Sequence, residues 1–118
     1  MLVLQISEFN EIRVEIRRKI KEIFGNRIGS LETFDIVEQA NHWAFKIRFI
    51  AYDYFVIIFN YELDIIGFSI EIGDGRSIGI INEFTCYSSV DIDKYINRVR
   101  TMIELRIPDK YLLECGWK

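Results

Sequence analysis

Five strand-like segments follow one another along the middle of the chain, and each is joined to the next by only a few residues. The clearest of them, WAFKIRFIA at 43–51, alternates apolar residues with polar ones such as Lys46 and Arg48, which is typical of a strand with one buried face. Short connections join strands that run in opposite directions, so the series predicts a five-stranded antiparallel β-meander. The predicted strands span residues 31–39, 43–51, 54–61, 65–72 and 77–87.

Segments with a helical period flank the predicted meander. In the first, apolar residues recur every three or four positions between Ser7, a suitable N-cap, and Gly25, a suitable residue to end the helix. A second apolar stripe follows capping residues at 88–91 and should end just before Pro108. A short helical segment over 108–116 completes the chain.

These elements predict the α+β class, with the order helix, five-stranded antiparallel β-meander, helix and short C-terminal helix. The length and the lack of a linker indicate a single α+β domain over residues 1–118. Both long helices are amphipathic, so they should cover one sheet face and form a two-layer sandwich. The expected buried face bears Trp43, Phe45, Ile47, Phe49, Ile66, Phe68 and Ile70.

One predicted strand does not fit an open sheet face. The segment YFVIIFNY at 54–61 is apolar on both sides until Asn60. Either this strand is central and covered, or its second side is a contact surface for a second copy or for a protein partner. The choice between a monomer and a homodimer is therefore open.

The loop Gly73-Asp74-Gly75-Arg76 could bind a phosphate or could simply turn the chain. Phosphate-binding loops lead from a strand into a helix, whereas a strand-like segment follows this loop. Glycine and aspartate tolerate the positive φ values of tight hairpins. The loop therefore predicts a hairpin turn with Asp74 at its tip.

Charge is unevenly distributed along the chain, whose net charge is −3. Residues 28–87 carry nine acidic against three basic residues, a balance of −6. Such a chain lacks the basic footprint of a nucleic-acid-binding protein, and it has no apolar run of the ~20 residues that a membrane helix needs. The start of the chain does not have the pattern of a signal peptide, and Cys86 and Cys115 fit reduced thiols, so we expect a cytoplasmic protein.

The sequence contains no recognisable catalytic constellation. His42 is the only histidine, no nucleophile-elbow motif accompanies it, and neither a cofactor nor a metal is expected. The acids Asp53, Glu62 and Asp64 leave one enzymatic alternative, a small metal-dependent hydrolase.

With its acidic central region and compact single domain, the chain resembles small immunity proteins of bacterial toxin–immunity systems, including contact-dependent growth inhibition. The resemblance covers the general character of the whole chain. It implies a partner that is a cognate toxin domain, in many cases a basic nuclease, blocked by direct occlusion. Acidic side chains would complement such a basic cleft and accelerate association. The chain also resembles small acidic secretion chaperones, which is the alternative.

The predicted partner-binding residues are acids of the strands and turns together with aromatic anchors. The acids are Asp35, Glu38, Asp53, Glu62, Asp64, Glu71, Asp74 and Glu83. The anchors are Trp43, Tyr52 and Tyr61, because aromatic residues at strand ends and turns are frequent binding hot spots.

Overall fold

A computed structural model describes residues 4–118 of the chain. It has the predicted α+β order, with an antiparallel sheet between two helical regions. The helices are α1 (Ile6–Phe24), α2 (Ile92–Glu104) and α3 (Asp109–Glu114), and a single 3-10 turn, Gly25–Arg27, follows α1. The strands are β1 (Glu32–Gln39), β2 (His42–Ala51), β3 (Phe55–Glu62), β4 (Ile65–Gly73), β5 (Arg76–Gly79) and β6 (Thr85–Cys86).

The sheet follows the order β1-β2-β3-β4-β5, and every pair of neighbours is antiparallel. The predicted fifth strand is broken in two. Both β5 and β6 pair with β4, whereas among the residues between them only Ile80 bonds to it, its amide donating to the carbonyl oxygen of Phe68. Gly79 lies opposite Ser69, and Thr85 lies opposite Ile66. Five residues, 80–84, therefore separate the paired positions on this segment, whereas only two, 67–68, separate them on β4. The extra residues form a loop between Ile80 and β6.

Tight turns close the hairpins of the meander. The loop at 73–76 is a hairpin turn, as predicted, with positive φ at Gly73, Asp74 and Gly75. Pairs of residues with positive φ also turn the chain at 52–53 and at 63–64. Two consecutive positive φ values are the mark of the turn type that matches the right-handed twist of a hairpin.

The helices pack on the predicted sheet face, which is called the inner face below. All the inner-face residues named from the sequence are buried, together with Phe9, Ile16 and Ile20 of α1. The N-terminal boundary of α1 differs from the prediction: the helix begins at Ile6, and no side chain caps it, so Ser7 lies inside the helix.

The opposite side of the sheet, called the outer face below, carries half-buried and exposed side chains. Val56 and Ile58 of the central strand β3 are half-buried there. Arg48 on β2 and Glu71 on β4 form an ion pair at 3.1 Å that spans β3. The aliphatic stem of this arginine covers part of the apolar surface of β3, as long charged side chains often do.

Candidate functional site

Most of the acids predicted to bind a partner are already engaged by the chain's own side chains. Five of the eight lie within 4.0 Å of a basic nitrogen, and two of these partners, Arg13 and Arg98, lie outside the central segment and so offset part of its −6 balance. These pairs are Asp35–Lys46 and Glu38–Arg13 at 3.5 Å, Glu62–His42 at 2.6 Å, Glu71–Arg48 at 3.1 Å and Glu83–Arg98 at 2.9 Å. In the last pair, hydrogen bonds from the guanidinium hold the pKa of the carboxyl below its ordinary value.

The three acids of the hydrolase alternative do not converge. Asp53 lies in the β2–β3 turn, whereas Glu62 and Asp64 lie at the other end of β3. At about 3.3 Å per residue the eight-residue strand separates them by roughly 25 Å, which is too far for a shared metal ion. Among residues 4–118, no group of three or more potential ligands could hold a metal.

The three predicted aromatic anchors are core residues. Tyr52 is fully buried, because Trp117 packs edge-on against its ring at 5.3 Å and Tyr111 donates to its carbonyl oxygen. Tyr52 therefore presents no side-chain surface to a partner in this structure, and its role as an anchor stays a prediction. Trp43 and Tyr61 are also buried, but both line a cavity at the N-terminal half of α1.

This cavity, called the α1 cavity below, has a volume of about 720 Å³ and lies between α1, the β1–β2 turn and the β3–β4 turn. Apolar and aromatic side chains form much of its wall, and several carboxylates converge on it. Such a combination is the usual character of a binding pocket. Its lining comprises Leu4, Glu8, Glu11, Ile12, Glu15, Ala40, Asn41, Trp43, Tyr61, Leu63, Asp64, Tyr87 and Ser88.

Four carboxylates of the α1 cavity have no ion-pair partner in the described part of the chain: Glu8, Glu11 and Glu15 on α1 and Asp64 in the β3–β4 turn. The helix dipole favours an acid at Glu8 in the first turn, but it does not account for the two acids further along. The sequence also suggests an ion pair between Glu15 and Lys19, but the lysine instead contacts Asp93 of α2 at 2.8 Å.

Hydrogen bonds from uncharged groups hold two of these carboxylates in place. The hydroxyl of Tyr87 donates to Glu15 at 2.5 Å, and both the backbone amide and the hydroxyl of Ser88 donate to Asp64. Burial, and then the bond to Glu15, raise the pKa of Tyr87, and burial raises the pKa of Tyr61. Both tyrosines therefore stay neutral at neutral pH and act as uncharged hydrogen-bonding groups.

Leu63 forms part of the wall in an unfavourable backbone conformation. Its φ is +49°, a region that glycine and asparagine prefer, and its side chain is 54% exposed. Strained residues of this kind are concentrated at binding sites, where a specific side chain is needed despite the strain. A second unfavourable feature is the indole nitrogen of Trp43, a buried donor without a hydrogen-bond partner among residues 4–118.

The helical acids of this cavity were not predicted from the sequence, because the helix dipole and ion pairs four residues apart are the usual explanation for acids on a helix. A pattern that could have revealed them is present. Each acid immediately precedes a residue of the apolar stripe, at 8–9, 11–12 and 15–16. Successive residues of a helix are about 100° apart, so the three carboxylates lie along one flank of the buried face.

The fold and this cavity define a two-layer α+β protein with an acid-lined pocket beside its first helix. No known protein family, curated protein or solved structure matches the chain. Within residues 4–118, no helix is both long and apolar enough to cross a bilayer.

Proposed function

We propose that the protein binds a basic protein partner and that the α1 cavity receives a basic side chain of that partner. The observation that carries the proposal is the presence, around a cavity lined by aromatic rings, of four carboxylates that form no ion pair with any residue of 4–118. The biological form that we favour is an immunity or inhibitor protein that neutralises a cognate toxin by direct occlusion.

A lysine or arginine side chain has the two properties that this cavity selects. Its aliphatic stem can pack on the apolar wall, and its charged group can reach the carboxylates. A pair of opposite charges about 4 Å apart at a protein surface attracts by roughly 4 kcal/mol before desolvation is subtracted. An arginine would also offer several donors to the two oxygens of each carboxylate. A cation would relieve the mutual repulsion of Glu11, Glu15 and Asp64.

The site of this proposal retains three of the residues predicted from the sequence, Asp64, Trp43 and Tyr61. The ion-paired acids of the strands contribute less, because a partner would have to break an existing contact to use them. Asp53 and Asp74 lie in turns at the end of the sheet away from the cavity. They could affect only long-range attraction.

An arginine-containing peptide and the same peptide with citrulline provide a matched pair of probes. Citrulline keeps the size and most hydrogen-bonding groups of arginine but has no charge. We expect the arginine peptide to shift the NMR signal of the Trp43 indole N–H at low salt, and we expect Glu15→Gln with Asp64→Asn to weaken this binding at least tenfold. Equal binding of the two peptides would refute the role of the carboxylates.

Affinity capture from the source cells, at low and then moderate salt, tests the inhibitor proposal itself. We expect one stoichiometric partner that is basic and toxic when produced alone, and we expect co-production of this protein to suppress the toxicity. The variant Glu11→Lys with Glu15→Lys should lose the protection, whereas Glu22→Lys on the same helix should keep it. Full protection by the first variant would place the interface elsewhere.

A small acidic secretion chaperone remains the second candidate, because the half-buried apolar residues of the outer face could contact a partly unfolded effector. The same capture distinguishes the two functions. A secreted protein held without its native structure would favour the chaperone, and a folded toxin would favour the inhibitor. The cytoplasmic location and the link to contact-dependent growth inhibition stay predictions.

A further inference from the structure

The four carboxylates of the α1 cavity form two pairs at different positions along α1. Glu15 and Asp64 form the first pair, because the consecutive residues 87–88 donate hydrogen bonds to them. Glu8 and Glu11 form the second pair, closer to the N-terminus of the helix. At 1.5 Å per residue along α1, Glu11 lies about 6 Å from Glu15, and Glu8 lies about 10 Å from it. The cavity therefore offers two separate places for a positive charge.

The size of the cavity also exceeds what one side chain requires. Its volume of about 720 Å³ is in the range of sites that enclose a whole small ligand. Apolar and aromatic groups, among them Ile12, Leu63 and Tyr61, line it together with the acids. An occupant that fits both the volume and the charges therefore has two cationic groups joined by an uncharged spacer.

Trp43 adds an independent requirement, which is a hydrogen-bond acceptor. Its ring lines the cavity and is only 9% exposed, and its indole nitrogen is a donor without a partner among residues 4–118. Buried donors are nearly always paired in native proteins, so this one points to an acceptor on the occupant. The side chains of lysine and arginine have donors but no acceptor. The acceptor must therefore come from the main chain that carries the basic side chains.

We infer that the partner inserts an extended segment with basic residues at two alternate positions, one for each pair of acids, and that a main-chain carbonyl of this segment accepts from Trp43. Side chains two residues apart in an extended chain point the same way and lie about 7 Å apart, which matches the spacing of the acid pairs. The carbonyl groups of a helix already accept hydrogen bonds within the helix, so a helical segment would leave the indole without an acceptor. This inference rests on the proposed function, because it describes the partner of the same cavity.

Three short peptides with acetylated and amidated ends test the spacing of the basic residues. The first contains Arg-Ser-Arg, and the second contains Arg-Arg-Ser, which has the same composition and charge but places its arginines on opposite sides of an extended chain. The third, Arg-Ser-citrulline, keeps one charge. A second charge-assisted contact corresponds to about a tenfold gain in affinity. By isothermal titration calorimetry at low salt, we expect Arg-Ser-Arg to bind at least tenfold more tightly than the other two peptides.

Substitution of one acid pair tests the assignment of the two charges. Glu8→Gln with Glu11→Gln should lower the affinity for Arg-Ser-Arg to that for Arg-Ser-citrulline, because only the pair formed by Glu15 and Asp64 remains. The matched control is Glu22→Gln, which removes an acid of the same helix outside the cavity and should bind Arg-Ser-Arg like the wild type. Unchanged binding of Arg-Ser-Arg by the double variant would refute the assignment.

A helical peptide tests the conformation of the segment. Two arginines four residues apart in a helix stabilised by α-aminoisobutyrate also lie about 6 Å apart, but the carbonyl groups between them are already bonded. We expect this peptide to bind more weakly than Arg-Ser-Arg, and we expect only Arg-Ser-Arg to move the NMR signal of the Trp43 indole proton downfield. Equal or tighter binding of the helical peptide would overturn the extended segment.

The peptide series also separates this inference from the proposed function. If Arg-Ser-Arg and Arg-Ser-citrulline bound equally well, the inference would be wrong, and a cavity for one basic side chain would stand. If none of the peptides bound, the proposed function would be wrong as well.

Discussion

Replacing Leu63 by glycine should leave the stability of the protein nearly unchanged while it weakens binding in the α1 cavity. Leu63 adopts φ +49° in the β3–β4 turn, where its Cβ crowds the following carbonyl oxygen. Glycine has no Cβ and adopts this conformation without strain. An exposed leucine at such a position is unfavourable for folding, and we infer that its side chain serves the binding site.

The size of the effect follows from three contributions. A residue with a Cβ in the left-handed region is destabilised by about 1–2 kcal/mol, which the substitution removes. Glycine makes the unfolded chain more flexible, which offsets about 0.4–1 kcal/mol of that gain. Nearly half of the Leu63 side chain is buried, so about 1 kcal/mol of apolar burial is also lost. The three contributions nearly cancel, so the free energy of unfolding should change by less than about 0.5 kcal/mol, although a half-buried leucine is removed.

Urea unfolding of Leu63→Gly and of a control, Leu105→Gly, provides the assay. Leu105 is also exposed, at 74%, but its φ is −63°, so glycine relieves no strain there. We expect the control to lose about 0.5–1 kcal/mol. If Leu63→Gly were destabilised to the same extent, the argument from backbone strain would be refuted. If it were as stable as the wild type and also bound the arginine peptide like the wild type, the leucine would have no role in binding.

Three further predictions concern the core, a helix cap and the pH dependence of stability. Phe9→Ala should lower the free energy of unfolding by about 3–5 kcal/mol, because this side chain is fully buried, and calorimetry should show the loss as a lower melting temperature. Asp91 caps α2 by accepting the amide of residue 94, so Asp91→Ala should lower the urea-unfolding free energy by about 1 kcal/mol, and no change would exclude the cap. Burial raises the pKa of Tyr52 and Tyr87 above the ordinary value of 10.0, so the unfolded chain releases these protons first, and stability should fall as the pH rises above 10. Tyr52→Phe should make that fall shallower in urea titrations at several alkaline pH values, and an unchanged slope would contradict it.

Local patterns were sufficient to predict most of the fold. Alternation along 43–51 and 65–72 identified the buried side chains of β2 and β4, because the side chains of a strand point to alternate faces. The break between β5 and β6 was missed, since apolar residues continue through Ile80 and Ile81. Only the pairing with β4 shows that the segment has more residues than the strand it faces.

The candidate site was less predictable, because it depends on contacts between residues far apart in the chain. Glu38 was assigned to a partner from its place on a strand, but it contacts Arg13 of α1. Tyr52 was predicted as a binding anchor because it lies in a turn, but Tyr111 of α3 and Trp117 contact it and it is fully buried. In both cases the deciding contact comes from a helix whose position over the sheet is not encoded in local periodicity.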